Sequence, residues 1–124
     1  MFDAQYLLAP SGGTTAVYSP WFPRGADNGR FTAELIRLVG SGTAKLVVRL
    51  FHKNADADAS YDGTEVDATK TIQITAEGTR TTTEWTGLRE LVRYKIEVTE
   101  TASGGDVWIL FRMLDPVWFD TVKA

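Results

Sequence analysis

Thr43-Ala44-Lys45-Leu46-Val47-Val48-Arg49-Leu50-Phe51-His52-Lys53 carries the plainest two-residue alternation in the chain. Successive strand side chains point to opposite faces, so Ala44, Leu46, Val48 and Leu50 share one face and Lys45, Val47, Arg49 and Phe51 the other. Apolar residues on one phase of a two-residue period predict a strand buried on one side and partly covered on the second. The pattern returns from Glu90, where Val92, Tyr94, Ile96 and Val98 alternate with Leu91, Arg93, Lys95, Glu97 and Thr99. It returns again from Asp106, with Val107, Ile109, Phe111 and Met113 set against Trp108, Leu110 and Arg112.

Shorter stretches repeat the theme. Arg30 to Leu38 carries Phe31, Ala33 and Leu35 on one face, and Thr71 to Thr75 alternates around Ile72 and Ile74. Thr81 to Thr86 is β-branched and contains Trp85, a composition suited to a pleated surface. Thr14 to Tyr18 and Gln5 to Ala9 complete about eight strands, the number expected of a small sandwich. Gly12-Gly13, Gly40-Ser41-Gly42, Glu77-Gly78 and Ser103-Gly104-Gly105-Asp106 separate them with residues that accept turn conformations. Gly40 to Gly42 is expected to close a hairpin between the third and fourth strands, and Gly104-Gly105 one between the last two. Ser19 to Gly29, bounded by Pro20 and Pro23, and the polar stretch Asn54 to Gly63 are expected as loops. The predicted architecture is all-β: a single-domain antiparallel β-sandwich over 1–124, jelly-roll-like or Ig-like, with N- and C-terminal arms.

Composition narrows the chemistry. The chain has 124 residues and a formal net charge of −3, with no cysteine and one histidine. Disulfides and thiol chemistry are excluded, and Cys-type or His-rich metal sites nearly so. A mildly acidic chain lacks the Lys/Arg cluster that phosphate neutralisation needs, so no nucleic-acid partner is expected. No stretch approaches the ~20 apolar residues of a spanning helix, and Met1-Phe2-Asp3-Ala4 lacks the basic start of a signal peptide. No membrane association, cofactor or metal is expected, and synthesis in a cytoplasm is.

Three constellations carry possible chemistry. His52 is the one imidazole, and any Ser-His-Asp arrangement has to use it, yet no serine sits in a Gly-x-Ser-x-Gly setting. Asp56-x-Asp58-x-Ser60-x-Asp62-Gly63 spaces oxygen ligands as a calcium loop does. The sixth position is Tyr61 where glycine is required, and the twelfth is Asp67 where a bidentate glutamate belongs, so a solvated loop is the expectation. Glu84 beside Trp85 is the carboxylate to inspect for glycosidase chemistry, with a strand-surface charge beside a core aromatic as the expected role.

The aromatics are the most informative group. Trp85 and Trp108 lie in strands, where core packing accounts for them. Trp21-Phe22 lies in the proline-bounded loop, Trp118-Phe119 beyond the last strand, and Phe2 and Tyr6 near the N-terminus. Either these segments fold back over the open ends of the sandwich or they dock on another chain. Aromatic and arginine side chains are enriched where proteins meet, which makes Phe2, Tyr6, Trp21, Phe22, Arg24, Trp118 and Phe119 the candidate interface residues.

The stretches Ser19-Pro20-Trp21-Phe22-Pro23-Arg24-Gly25-Ala26-Asp27-Asn28, Phe51-His52-Lys53-Asn54, Leu91-Val92-Arg93-Tyr94 and Phe111-Arg112-Met113-Leu114-Asp115-Pro116-Val117-Trp118 give the chain a family look. It resembles the small structural proteins of tailed-bacteriophage particles, most closely capsid decoration (cement) proteins. The resemblance implies an enzymatically inert virion protein at the capsid surface, bound to the major capsid protein or another virion protein and assembled as a homo-oligomer, a trimer. It assigns no functional residues. The competing readings are a carbohydrate- or receptor-binding sandwich presenting coplanar aromatics, another head–tail component, and a small carboxylate hydrolase.

Overall fold

The computed structural model describes residues 4–40, 43–101 and 104–120. Within them lie β1 (Gln5–Ala9), β2 (Thr14–Tyr18), β3 (Phe22–Pro23), β4 (Asn28–Gly40), β5 (Ala44–Lys53), β6 (Thr64–Glu65), β7 (Ile72–Ile74), β8 (Thr79–Trp85), β9 (Leu91–Glu100), β10 (Val107–Met113) and β11 (Val117–Phe119). The described residues hold no helix, and so none long and apolar enough to cross a membrane.

The strands fill eight lanes in two antiparallel sheets. Sheet A runs β1, β10, β4, β8, with β11 continuing the lane of β10 along β4. Sheet B runs β2, β9, β5, β7, with β3 extending the lane of β2 and β6 that of β7. Each early strand pairs with a late one: β1 with β10, β2 with β9, β4 with β8 and β5 with β7. This nested order is a jelly roll, one long hairpin wound over two sheets. All eight stretches read from the alternation are strands of it.

The two expected hairpins are not hairpins. β4 lies in sheet A and β5 in sheet B, and β9 and β10 are divided likewise. The glycines at 40 and 104–105 therefore serve arches between sheets; Ser41, Gly42, Ala102 and Ser103 lie outside the described residues. A glycine turn signals that the chain reverses, and a strand that buries one face looks the same whether it pairs with the next strand or crosses over to face it. Gly40 has φ +129°, and a side chain there would press on the Asp106 carbonyl.

The buried phase of each strand meets in the middle. Phe31, Ala33 and Leu35 of β4, Val107, Ile109, Phe111 and Met113 of β10, Leu46, Val48 and Leu50 of β5, and Val92, Tyr94, Ile96 and Val98 of β9 form one core with Trp85 and Leu88. A bulge between Leu110 and Phe111 adds one residue to β4, so the inward phase steps from Leu35 to Leu38. Pro20 interrupts the β2 lane, and Ser19 Oγ accepts from the Tyr94 N–H at 2.8 Å. That bond satisfies a donor which the broken ladder otherwise leaves bare.

Candidate interaction face

The proline-bounded loop and the tail turn out to be clasps at one end of the sandwich. Phe22 and Pro23 pair with Val92 and Leu91, and the Phe22 ring packs 5.4 Å from Tyr94 in the core. Arg24 donates to the Leu88 carbonyl and pairs with Asp27 at 3.0 Å. Asn28 and Gly29 already belong to β4, so the expected loop is shorter than Ser19 to Gly29. Trp118 and Phe119 pair with Gly29 and Asn28 as strand β11. The Trp118 indole meets Phe31 edge-on at 5.4 Å, and a Cβ on Gly25 would lie 2.5 Å from it. Phe119 is half-buried beside Arg30, whose guanidinium lies 6.0 Å from its ring. Phe22 and Trp118 thus pack against the core, which is the fold-back alternative for these two.

Trp21 points the other way, onto the outer face of sheet B. Lys53 Nζ and the Arg93 guanidinium each lie 4.6 Å from its ring, and Arg93 also stacks 4.2 Å from Tyr18. Lys53, although nearly fully buried, donates to the Tyr61 carbonyl. The wedge of Trp21 against Gly63 (φ +85°) closes this end of the sheet. Phe2 lies outside the described residues.

Tyr6, by contrast, is 55% exposed on the outer face of sheet A. It does not stand alone. Register places Leu8, Trp108 and Val39 in one row across β1, β10 and β4, and Tyr6, Leu110 and Arg37 in the next. Trp108 is 46% exposed and Val39 39%, so the expectation that Trp108 is core is corrected. Its alternation partners Val107 and Ile109 are buried, and a side chain on the opposite phase must point outward. Five apolar side chains therefore form a contiguous patch on a sheet face with nothing packed over it among the described residues. The signal was in the sequence: on β10 both phases are apolar, so whichever faces in, the other meets solvent or a partner. Scattered single exposed hydrophobics are ordinary, whereas a contiguous group across three strands is the candidate interaction surface of this fold.

Below the patch the same face becomes polar. Glu34 accepts from Arg80 Nε and from Arg112 Nε, both at 2.7 Å, tying β8, β4 and β10 together. Thr32 and Thr82 hydroxyls meet at 2.7 Å, and Arg30 reaches Glu84 at 2.8 Å. Glu84 is thus a strand-surface ion-pair partner. The hydrogen bonds from Arg80 and then Arg112 hold the Glu34 carboxyl below its ordinary 4.5. A lowered folded-state value means the unfolded chain takes the proton first. The contribution is present above about pH 4.5 and is lost as pH falls through the folded value. The thermal midpoint of Glu34→Gln should therefore fall less steeply with acid in that window than the wild type's; parallel slopes would count against the ladder.

The remaining constellations resolve into local structure. His52 Nδ1 accepts from the Arg89 N–H at 3.2 Å, and burial followed by the Arg89 charge pushes its pKa down. Asp58 accepts from both the N–H and the hydroxyl of Ser60, while Asp62 pairs with Arg93, so the calcium-like oxygens turn to separate partners. Among the described residues no group of three or more His, Cys, Asp or Glu side chains is placed to hold a metal ion. No protein-family model matches the chain, and no curated protein is significantly similar to it.

Proposed function

We propose that this chain is a structural virion protein, a capsid decoration (cement) protein that seats the outer face of sheet A on a phage head and bridges neighbouring major capsid subunits. The observation that supports it is the apolar row Leu8–Trp108–Val39 with Tyr6 and Leu110 beside it. Its exposed aromatics and adjoining Arg37 have the composition of a protein-binding hot spot. A rigid sandwich carrying such a face stabilises a shell by mass action, since it binds the assembled state and not free subunits. The test is binding to assembled shells of the major capsid protein. Trp108→Glu places a charge in the centre of the patch, and affinity should fall at least thirtyfold, about 2 kcal/mol or more. Binding equal to wild type would sink the reading.

A second reading, carbohydrate binding, draws support from the same face. Tyr6 and Trp108 are diagonal neighbours on adjacent strands, about 7–8 Å apart in such a sheet, a spacing that suits stacking on sugar rings. Their neighbours Leu8, Val39 and Leu110 offer no hydrogen bonds to hydroxyls, which favours a protein partner. On sheet B, Arg93 already occupies the space between Tyr18 and Trp21. Glycan-array binding that is lost in Trp108→Ala would transfer the proposal to this reading.

A further inference from the structure

We infer that β1 is a self-pairing edge: two copies of this chain join antiparallel through Gln5–Ala9, about a two-fold axis at Leu7, so that sheet A runs through both. This goes beyond the shell reading, does not depend on it, and puts a two-chain assembly in place of the expected trimer.

No residue from Ala4 to Pro23 carries a charge, in a chain with 13 basic and 16 acidic residues. That stretch builds β1 and β2, the edge lanes along one flank of the sandwich. The opposite flank carries Arg80 and Glu84 on β8 and Glu65 on β6. Exposed strand edges are ordinarily guarded by charge, proline or a bulge, because bare N–H and C=O groups recruit other strands. β1 has none of these within Gln5–Ala9.

The backbone geometry fits the pairing. Leu8 O accepts from Thr15 Oγ1 of β2 at 2.7 Å, so the polar groups of Leu8 turn away from β10. Strand alternation turns those of Tyr6 the same way. An axis at Leu7 sets Tyr6 of one copy opposite Leu8 of the other, and these are the positions that exchange both hydrogen bonds of an antiparallel pair. The Leu8 carbonyl keeps a second lone pair for that bond. Leu7 packs against the core yet is only half-buried at the open edge, and Leu8 is half-exposed on the outer face. A second β1 covers both. A charge-free surface meets its own copy without opposing like charges, which is what an isologous interface requires. The apolar rows of the two copies then run on as one face.

Sedimentation equilibrium of the full chain across the micromolar range reads the outcome. Wild type is expected at twice the 13.7 kDa chain mass. Tyr6→Lys/Leu8→Lys sets like charges opposite each other across the axis and should sediment as a single chain. Tyr6→Lys/Leu8→Glu removes the same apolar groups but sets opposite charges together, and should return to the two-chain mass. A single-chain wild type overturns the inference, and so do two double variants of equal mass. Circular dichroism on both variants separates loss of pairing from loss of fold, since they carry the same burden of substitution.

Discussion

Glu100→Ala should unfold about 10–15 °C below wild type, a loss of roughly 3 kcal/mol for a domain of this size. Glu100 is 2% exposed, and its carboxylate gathers backbone donors from three separate arches. Gly12 N–H reaches Oε2 at 2.7 Å, and the N–H groups of Thr43 and Gly104 reach Oε1 at 3.4 Å each. These arches carry the chain between sheets at β1–β2, β4–β5 and β9–β10. A jelly roll concentrates its crossings at the ends of the sandwich, where backbone groups leave the ladders and need other acceptors. Alanine removes the acceptor and strands the donors, which costs more than the bonds contribute net. Glu100→Gln keeps one oxygen and should lose about 1 kcal/mol. A Glu100→Ala midpoint within a few degrees of wild type would mean that water replaces the carboxylate.

Trp118→Ala should cost about 2–3 kcal/mol, because the indole is a lid on the core and not a free anchor. Phe31 sits at the centre of an aromatic group, edge-on to Trp85 at 5.2 Å, Tyr94 at 5.9 Å and Trp118 at 5.4 Å. Removing Trp118 exposes one side of that group and leaves a void over Gly25 and Gly29. At Gly25 the indole takes the space of a side chain, with a Cβ 2.5 Å from it; at Gly29 the Phe31 ring does so, with a Cβ 2.6 Å from that ring and 3.2 Å from Trp118. Chemical denaturation should show a lower midpoint with little change in slope, since the residual fold buries nearly the same surface.

Period-two alternation carried most of the fold. In Ala44–Leu50, Val92–Val98 and Val107–Met113 it named the inward residues directly, because a sandwich strand has one dry face. It did not carry topology. The Gly40 and Gly104 turns look alike for a hairpin and for an arch, and the choice is made by which distant strand completes each ladder. β3, β6 and β11 are two or three residues long and owe their pairing to neighbours rather than to any pattern of their own.

The candidate site was legible only in part. Aromatics beside Pro20, Pro23 and Pro116 stood out because irregular segments rarely build cores, yet Phe22 and Trp118 are drawn inward by Tyr94 and Phe31. Trp108 looked ordinary because it lies in a strand, although its own phase marked it as outward. Among the described candidates, Tyr6 is the one that register joins to an apolar face, through Leu110 and the neighbouring row.

Under the proposed function, Trp108 is the aromatic that faces the partner and Trp118 the one that holds the fold. Paired unfolding and shell-binding measurements on Trp108→Ala and Trp118→Ala separate the two roles. Trp108→Ala should keep the wild-type midpoint to within about 0.5 kcal/mol and lose most shell affinity, while Trp118→Ala should lose about 2–3 kcal/mol of stability and, where folded, bind as wild type does. The reverse pattern, a destabilised Trp108→Ala with intact binding beside a stable Trp118→Ala that no longer binds, would mean that Trp118 meets the partner and Trp108 holds the fold.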